Sequence, residues 1–168
     1  RYQYHQALGY QHFYDAEELG IEIPSNFGYN WASDIDLFEK ASDVLLKEKA
    51  DQPFLAYLIT VSMHTPYDDN RLSLKENVQA VQEIVEADSQ VQYYLAAAKQ
   101  FDDGLRAMQE RFEEAGILDD TVFVIFADHY SYGMHHDILW SYYDDYIGDF
   151  YRIHNVPLMI WTPNMQDA

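Results

Sequence analysis

Residues 121–134 constrain the fold of this chain most, because a run of β-prone residues there leads directly into an acid and an imidazole. The run is apolar throughout, without polar alternation, which is typical of a strand buried on both faces of a parallel or mixed sheet. Ligands of such sheets bind beyond the carboxyl ends of the strands. The sequence therefore predicts a binding edge at Asp128 and His129.

Two other apolar runs are predicted as strands. The first, at residues 54–61, leads into a short segment that contains His64 and Pro66. A neutral imidazole in such a place can donate to a phosphate or bind a metal, although loop histidines without a functional role are common. The second run, at residues 156–161, carries Pro157 near its start, as an edge strand permits.

Helices are predicted on either side of the first of these strands. Ser33 or Asp34 is suited to cap a helix over residues 34–50. Residues 88–115 form an amphipathic helix that Gly116 ends, which makes residues 54–127 a strand, helix, strand crossover. Residues 68–87 are predicted as a surface excursion without a chemical role. The apolar positions of the long helix are Val91, Tyr94, Leu95, Ala98, Phe101, Leu105, Met108 and Phe112.

Composition narrows the class of partner. Ten basic against 29 acidic residues give a formal charge of -19 in 168 residues, which repels the phosphates of nucleic acids. No cysteine is present, so disulfides and thiolate metal sites are excluded. The acidic positions Asp144, Asp145 and Asp149 lack the glycine and terminal glutamate of a calcium loop, and they are predicted to be a solvated face.

The pair Asp128 and His129 offers one carboxylate oxygen and one imidazole nitrogen, a set that suits manganese, zinc or magnesium more than calcium. Two ligands do not complete a site, so the others must come from His64, His135 or His136, or from chain outside residues 1–168. An aspartate that accepts a turn N–H beside a packed histidine is the alternative interpretation of the pair.

Several motifs, in order, resemble one known family. The sequence Ala-Asp-His-Tyr-Ser-Tyr-Gly at residues 127–133 is similar to the Gly-Asp-His-Tyr-Gly signature of lipoteichoic acid synthases and related phosphoglycerol transferases, a branch of the alkaline phosphatase and sulfatase superfamily. Residues 64–67 resemble the family's His-x-Pro-Tyr loop. Residues 1–10 resemble its arginine segment, residues 116–121 its entry to the metal strand, and residues 156–158 its Val-Pro-Leu strand. Ala127 departs from the family's usual glycine.

The resemblance implies a fold and a set of roles. The fold is an α/β, three-layer α/β/α alkaline-phosphatase-like sandwich, of which residues 1–168 are the middle and later portion, a partial sulfatase-like catalytic domain. By similarity, Asp128 and His129 are metal ligands, for Mn²⁺ or Mg²⁺ rather than Zn²⁺. His64 and Arg1 bind the phosphate or glycerol of the substrate. The nucleophilic threonine and a further acidic ligand are expected upstream of this chain.

The implied function is that of a phosphoglycerol transferase that acts on phosphatidylglycerol and builds a glycerol phosphate polymer. The resemblance also implies a location on the outer side of a bacterial plasma membrane, with attachment through an N-terminal anchor outside this sequence. Catalysis by the chain alone is not expected, because the nucleophile is missing. Two alternatives are a sulfatase or phosphodiesterase of the same fold, and a non-catalytic acidic binding module at the cell surface.

Overall fold

The computed structural model describes residues 2–23, 32–49, 52–142 and 154–165. Arg1 and the acidic positions Asp144, Asp145 and Asp149 lie outside the described residues, so the roles predicted for them are not addressed by the fold. The elements in chain order are α1 (Tyr2–Ala7), α2 (Asp34–Lys49), a 3-10 turn (Leu72–Leu74), α3 (Lys75–Gln82), α4 (Ser89–Glu114), a second 3-10 turn (Leu118–Asp120), β1 (Phe123–Phe126), α5 (His136–Tyr142) and β2 (Leu158–Trp161).

Helix α4 is the long helix that the apolar spacing predicts, and its two ends have clear local causes. The carboxylate of Asp88 accepts the Gln90 N–H at 2.8 Å, which satisfies one donor of the first turn. At the other end Gly116 has φ +72°. The Gly116 and Ile117 N–H groups there return to carbonyls of the last turn, each at 2.9 Å. The prediction of this helix and of its terminating glycine is confirmed.

The buried stripe of α4 is turned slightly from the predicted one. Val91, Met108 and Phe112 belong to both sets. The other predicted positions are only partly buried, and small or polar residues take their place in the interior, because neighbouring segments approach the helix there. These interior residues are Ala96, Ala97, Gln100 and Gly104.

Helix α2 also forms as predicted, and it packs along α4. Ser33 caps it, because the Ser33 hydroxyl accepts the Ile35 N–H at 3.2 Å. The contact between the helices is built around Phe38, Met108 and Phe112, which are at most 5% exposed. Burying a side chain of this size stabilises the fold by about 1.5–3 kcal/mol.

Strands β1 and β2 pair antiparallel, with Phe123 opposite Trp161 and Phe126 opposite Leu158. Along β1 the side chains alternate: Phe123 faces the helices, whereas Val124 and Phe126 are 54% and 52% exposed. The prediction that this strand is buried on both faces is therefore wrong for the described part of the chain.

The apolar run at residues 54–61 forms no strand in the described structure, contrary to prediction, and the predicted crossover is not formed. Phe54 packs against Phe112 and Tyr57 stacks on Phe126, each at a centroid distance of 6.4 Å. Side-chain packing thus holds the run near β1. A strand also requires a hydrogen-bonded neighbour, and in the described part of the chain the sheet contains only β1 and β2, so residues 54–61 have none.

Residues 68–87 are not the surface excursion that their polarity suggests. They contain the first 3-10 turn and α3, and Leu74, Val78 and Val81 form a buried cluster with Ala96 and Ala97 of α4. Arg71, in the same segment, is 1% exposed. Among the described helices, none has the length and apolar character needed to cross a membrane.

Candidate functional site

Asp128 and His129 lie immediately after β1, at the carboxyl end of the strand, as the sequence predicts. They begin a loop of residues 127–134, here named the Asp128 loop. Two short turns shape it: the Tyr132 N–H donates to the Tyr130 carbonyl at 2.8 Å, and the Met134 N–H to the Ser131 carbonyl at 3.1 Å. The Asp128 side chain is 86% exposed and the His129 side chain 43% exposed. Both groups are therefore accessible from solvent.

One hydrogen bond of His129 indicates the tautomer of its neutral ring. The Tyr130 carbonyl can only accept, so Nδ1 of His129, 2.8 Å away, carries the proton of the neutral ring. The lone pair is then on Nε2, which lies 3.5 Å from Oδ1 of Asp128. Metal-binding histidines are commonly held in this way, with the second ring nitrogen donating to a carbonyl. The pair thus presents an oxygen and a nitrogen donor in the same region.

His64 lies in a second loop, residues 61–67, here named the His64 loop. Its imidazole is exposed, and Nδ1 donates to the Thr65 carbonyl at 2.7 Å. The neutral ring therefore carries its lone pair on Nε2, as at His129. The peptide between Thr65 and Pro66 is cis.

The structure brings the two loops together. Thr65 packs directly on Gly133, where an added Cβ would lie 2.5 Å from the Thr65 Cβ. The Thr65 hydroxyl also donates to the Gly133 carbonyl at 3.4 Å. His64 and the pair Asp128 and His129 are therefore on two loops in direct contact, beyond the carboxyl end of β1.

Both loops contribute residues to one buried apolar cluster. Tyr67 of the His64 loop and Met134 of the Asp128 loop are each 6% exposed, and they pack with Val91 and Leu139. The Tyr67 hydroxyl donates to the Met63 carbonyl at 3.0 Å. Gln90 of α4 accepts the His135 N–H at 2.8 Å, so the residue that follows the Asp128 loop is bound to the long helix. The spacing of the two loops thus depends on α4.

The donor set suits a divalent cation in chemistry but does not complete a site. In the described ranges no group of three or more His, Cys, Asp or Glu side chains is gathered closely enough to hold a metal ion. His135 lies 3.9 Å from Asp137, and the ring of His136 lies 5.6 Å from that of Trp140. His64, His135 and His136 therefore do not supply the missing ligands here. Asp128 and His129 fit a cation as two members of a larger set.

The most deeply buried polar groups near the site are ones that sequence reasoning missed. Asp34, Ser62, Arg71 and Gln100 are each at most 2% exposed, and they lie in or around the first part of the His64 loop. The sequence predicts Asp34 only as a helix cap, and it places Arg71 in the surface excursion of residues 68–87. The sequence contains one sign of this buried group: Gln100 is a polar residue on the same side of α4 as Ala97, Gly104 and Met108.

The buried phenol of Tyr67 predicts a loss of stability in alkali. Burial, with a smaller contribution from Tyr94, raises the pKa of Tyr67 from 10.0 to about 12. Between these values the unfolded chain has released the proton and the folded chain has not, so stability falls as pH rises from 10 to 12. We expect a decline of roughly 2–3 kcal/mol in the free energy of unfolding. Urea denaturation at pH 9 and at pH 12 measures it.

The matched control for this decline is an exposed tyrosine. Tyr67→Phe should remove most of the alkaline loss, whereas Tyr57→Phe, at a position 57% exposed, should retain it. An equal pH dependence in both variants would show that Tyr67 titrates normally in the folded protein.

The fold is that of an α/β protein of the alkaline phosphatase and sulfatase superfamily. A family model described as Sulfatase matches residues 2–168, and the chain belongs to the sulfatase family. The fold class expected from the sequence is confirmed by a solved structure, the crystal structure of the lipoteichoic acid synthase LtaP from Listeria monocytogenes. It matches with a TM-score of 0.71 and 26% identity over 99% of this chain and 41% of that one.

Curated relatives belong to the same branch, which confirms the resemblance to lipoteichoic acid synthases. The chain is 29% identical over 139 residues to the lipoteichoic acid synthase of Staphylococcus saprophyticus, covering 82% of this chain and 20% of the relative. It is 29% identical over 168 residues to lipoteichoic acid synthase 1 of Bacillus subtilis, covering 97% of this chain and 25% of the relative. The chain thus spans 20–25% of the length of these two relatives.

Proposed function

We propose that this chain is part of the catalytic domain of a metal-dependent phosphoglycerol transferase. In this proposal the whole protein takes glycerol phosphate from a phosphatidylglycerol-type lipid and adds it to a growing glycerol phosphate polymer. The names of the relatives from Staphylococcus saprophyticus and Bacillus subtilis, both lipoteichoic acid synthases, favour this reaction.

The observation that carries the proposal is the contact between Thr65 and Gly133. It joins the loop with His64 to the loop with Asp128 and His129. A phosphodiester at this junction would meet a cation on one side and an imidazole on the other. These are the two kinds of group that stabilise the negative charge developed in phosphoryl transfer.

Asp128 and His129 are proposed to hold the cation, Mn²⁺ or Mg²⁺, together with ligands from outside this chain. Their mixed oxygen and nitrogen donors suit a manganese-like ion. When bound, the ion would neutralise charge on the phosphate oxygens and favour attack by a nucleophile. Because the chain carries a formal charge of -19, an anionic lipid headgroup would be repelled unless cations offset that charge locally.

His64 is proposed to contact the substrate through Nε2. Since Nδ1 already donates to the Thr65 carbonyl, Nε2 is the nitrogen that can accept a hydroxyl proton of glycerol or, when protonated, donate to a phosphate oxygen. Arg1, outside the described residues, is proposed to bind the substrate phosphate. The proposal places no nucleophile within this chain.

The proposed setting is the outer side of a bacterial plasma membrane, where both the lipid donor and the polymer would be found. Attachment to the membrane would come from an N-terminal anchor outside this sequence. The acidic surface also argues against nucleic acid as a partner.

A hydrolase of the same fold is the second candidate, because the matching family model is described as Sulfatase. Such an enzyme would pass its group to water instead of to a polymer. The same two loops could serve it, since sulfate and phosphate esters place similar charge on their oxygens.

The test uses the full-length protein in vesicles that contain fluorescent phosphatidylglycerol. We expect release of fluorescent diacylglycerol and growth of glycerol phosphate chains, both abolished by EDTA and restored by Mn²⁺. Release of single glycerol phosphate units without chains would favour the hydrolase. Turnover of sulfate esters with no attack on the lipid would overturn the proposal. No turnover of either substrate would favour the non-catalytic acidic binding module instead.

A further inference from the structure

Two buried charges of opposite sign meet the first turn of the His64 loop. This turn, residues 61–64, is closed by the His64 N–H, which donates to the Val61 carbonyl at 3.0 Å. It belongs to no helix or strand, so its other polar groups need partners from elsewhere. Asp34 and Arg71, which are 0% and 1% exposed, supply them.

Asp34 binds the N–H groups of the turn. Its two carboxylate oxygens accept the Val61 N–H at 2.8 Å and the Ser62 N–H at 3.1 Å. Its own N–H lies 3.3 Å from the Ser62 hydroxyl. Asp34 is the first residue of α2, so these bonds fix the turn to the start of that helix.

Arg71 binds the carbonyl groups of the same turn. Nη2 donates to the Ser62 carbonyl at 2.9 Å, and Nη1 donates to the His64 carbonyl itself. The guanidinium is rigid and planar, so two such bonds define the orientation of the peptide they hold. Asp34 and Arg71 thus hold the turn from its donor side and from its acceptor side.

Ser62 and Gln100 complete this arrangement. The Ser62 hydroxyl donates to Oε1 of Gln100, and Nε2 of Gln100 donates to the Ser73 carbonyl at 2.7 Å. Gln100 is a residue of α4. The turn is therefore tied to α2, to α4 and to the segment that carries Arg71.

Burying both charges is costly, which argues for a role beyond filling space. Burial raises the pKa of the Asp34 carboxyl, although hydrogen bonds from Val61 and Ser62 lower it. Burial lowers the pKa of Arg71, and Asp34 offsets this effect. A hydrophobic pair could fill the same volume, but it could not hold the N–H and carbonyl groups of the turn.

We propose that Asp34 and Arg71 are positioning residues that set the place of the His64 imidazole beside the Asp128 loop. This role rests on the proposed contact of His64 with the substrate. Neither residue touches the substrate itself; both act through the backbone of residues 61–64. The exposed imidazole stands on a turn whose place is fixed by buried charges.

The first test is hydrogen exchange, which does not depend on activity. In the full-length protein, Arg71→Lys and Asp34→Asn should each speed exchange in the peptide covering residues 61–65 by about tenfold or more, since each variant weakens bonds to a charged group. Ser62→Ala, a smaller change, should give a smaller increase. Arg106→Lys is the matched control: Arg106 is 61% exposed and pairs with Asp102 at 2.9 Å. It should leave this exchange unchanged.

The second test is a double-mutant cycle on the turnover of phosphatidylglycerol. Arg71→Lys should lower kcat by about tenfold when His64 is present, and by less than about twofold in a His64→Ala background. A general loss of stability would lower kcat by the same factor with and without His64. Additive effects of the two substitutions would therefore overturn the positioning role. Thermal melting shows whether Arg71→Lys is largely unfolded. If it is, Ser62→Ala replaces Arg71→Lys in the cycle.

The outcomes separate this inference from the proposed function. Unchanged exchange in residues 61–65 in all three variants would overturn the positioning role, whatever the activity. Faster exchange together with full activity of His64→Ala would instead reject the substrate contact of His64, while Asp34 and Arg71 would still be shown to hold the turn.

Discussion

Replacing Asp128 by alanine in the full-length protein is expected to remove nearly all metal-dependent turnover while leaving the fold intact. The side chain is 86% exposed, so its removal creates no cavity and should change stability by less than about 0.5 kcal/mol. A metal ligand contributes several kcal/mol to catalysis, and its loss should lower kcat by roughly a thousandfold. Isothermal titration with Mn²⁺ should show an affinity at least about 100-fold weaker.

The control is a second exposed aspartate that also lies beside a histidine. Asp137 is 93% exposed and lies 3.9 Å from His135, yet it has no role in the proposed site. Asp137→Ala should retain both turnover and Mn²⁺ affinity. If Asp128→Ala bound Mn²⁺ as tightly as the unaltered protein, Asp128 would not be a metal ligand.

Gly133→Ala is expected to have the second-largest effect, because it acts where the two loops touch. The new Cβ would lie 2.5, 2.6 and 2.7 Å from the Cβ, Oγ1 and Cγ2 atoms of Thr65. The loops must then separate, which should lower the free energy of unfolding by about 1–3 kcal/mol. A displacement of about 1 Å at a reacting group can lower the rate about 100-fold, and we expect kcat/KM to fall by that order.

Two variants isolate this effect. Adding Thr65→Gly to Gly133→Ala removes all three clashing atoms, and it should restore much of the lost activity. Gly116→Ala is the stability control: at φ +72° the substitution costs about 1–2 kcal/mol, although no atom lies within 4 Å of the new Cβ. It should therefore lower the melting temperature with little loss of activity. Equal losses of activity in Gly133→Ala and Gly116→Ala would reject the junction between the loops.

The helices could be predicted because their causes are local. Asp88 and Gly116 mark the ends of α4, and the spacing of Val91, Met108 and Phe112 gives its buried side. The position of Asp128 and His129 after β1 was predictable for the same reason, since the apolar run and the acid are adjacent in sequence.

The run at residues 54–61 shows where local reasoning fails. Its composition is that of a strand, but strand formation depends on a hydrogen-bonded neighbour, and local composition carries no information about that neighbour. The same limit applies to β1, whose residues Val124 and Phe126 look like core residues and are exposed here.

The buried polar groups around residues 61–64 could not be predicted from the sequence, for a related reason. Asp34 at the start of a helix fits a local cap, yet its carboxylate binds the N–H groups of Val61 and Ser62, 27 and 28 residues away. Arg71 lies in a polar stretch, and only the fold reveals the carbonyls it holds. Contacts of this kind depend on tertiary structure and leave little trace in a single sequence.

The most direct test of the central claim is anomalous diffraction from crystals of the full-length catalytic domain soaked in Mn²⁺. The proposed function predicts a manganese peak within about 2.3 Å of both the Asp128 carboxylate and Nε2 of His129, at the junction with the His64 loop. A peak bound to other residues, with none at this pair, would contradict it.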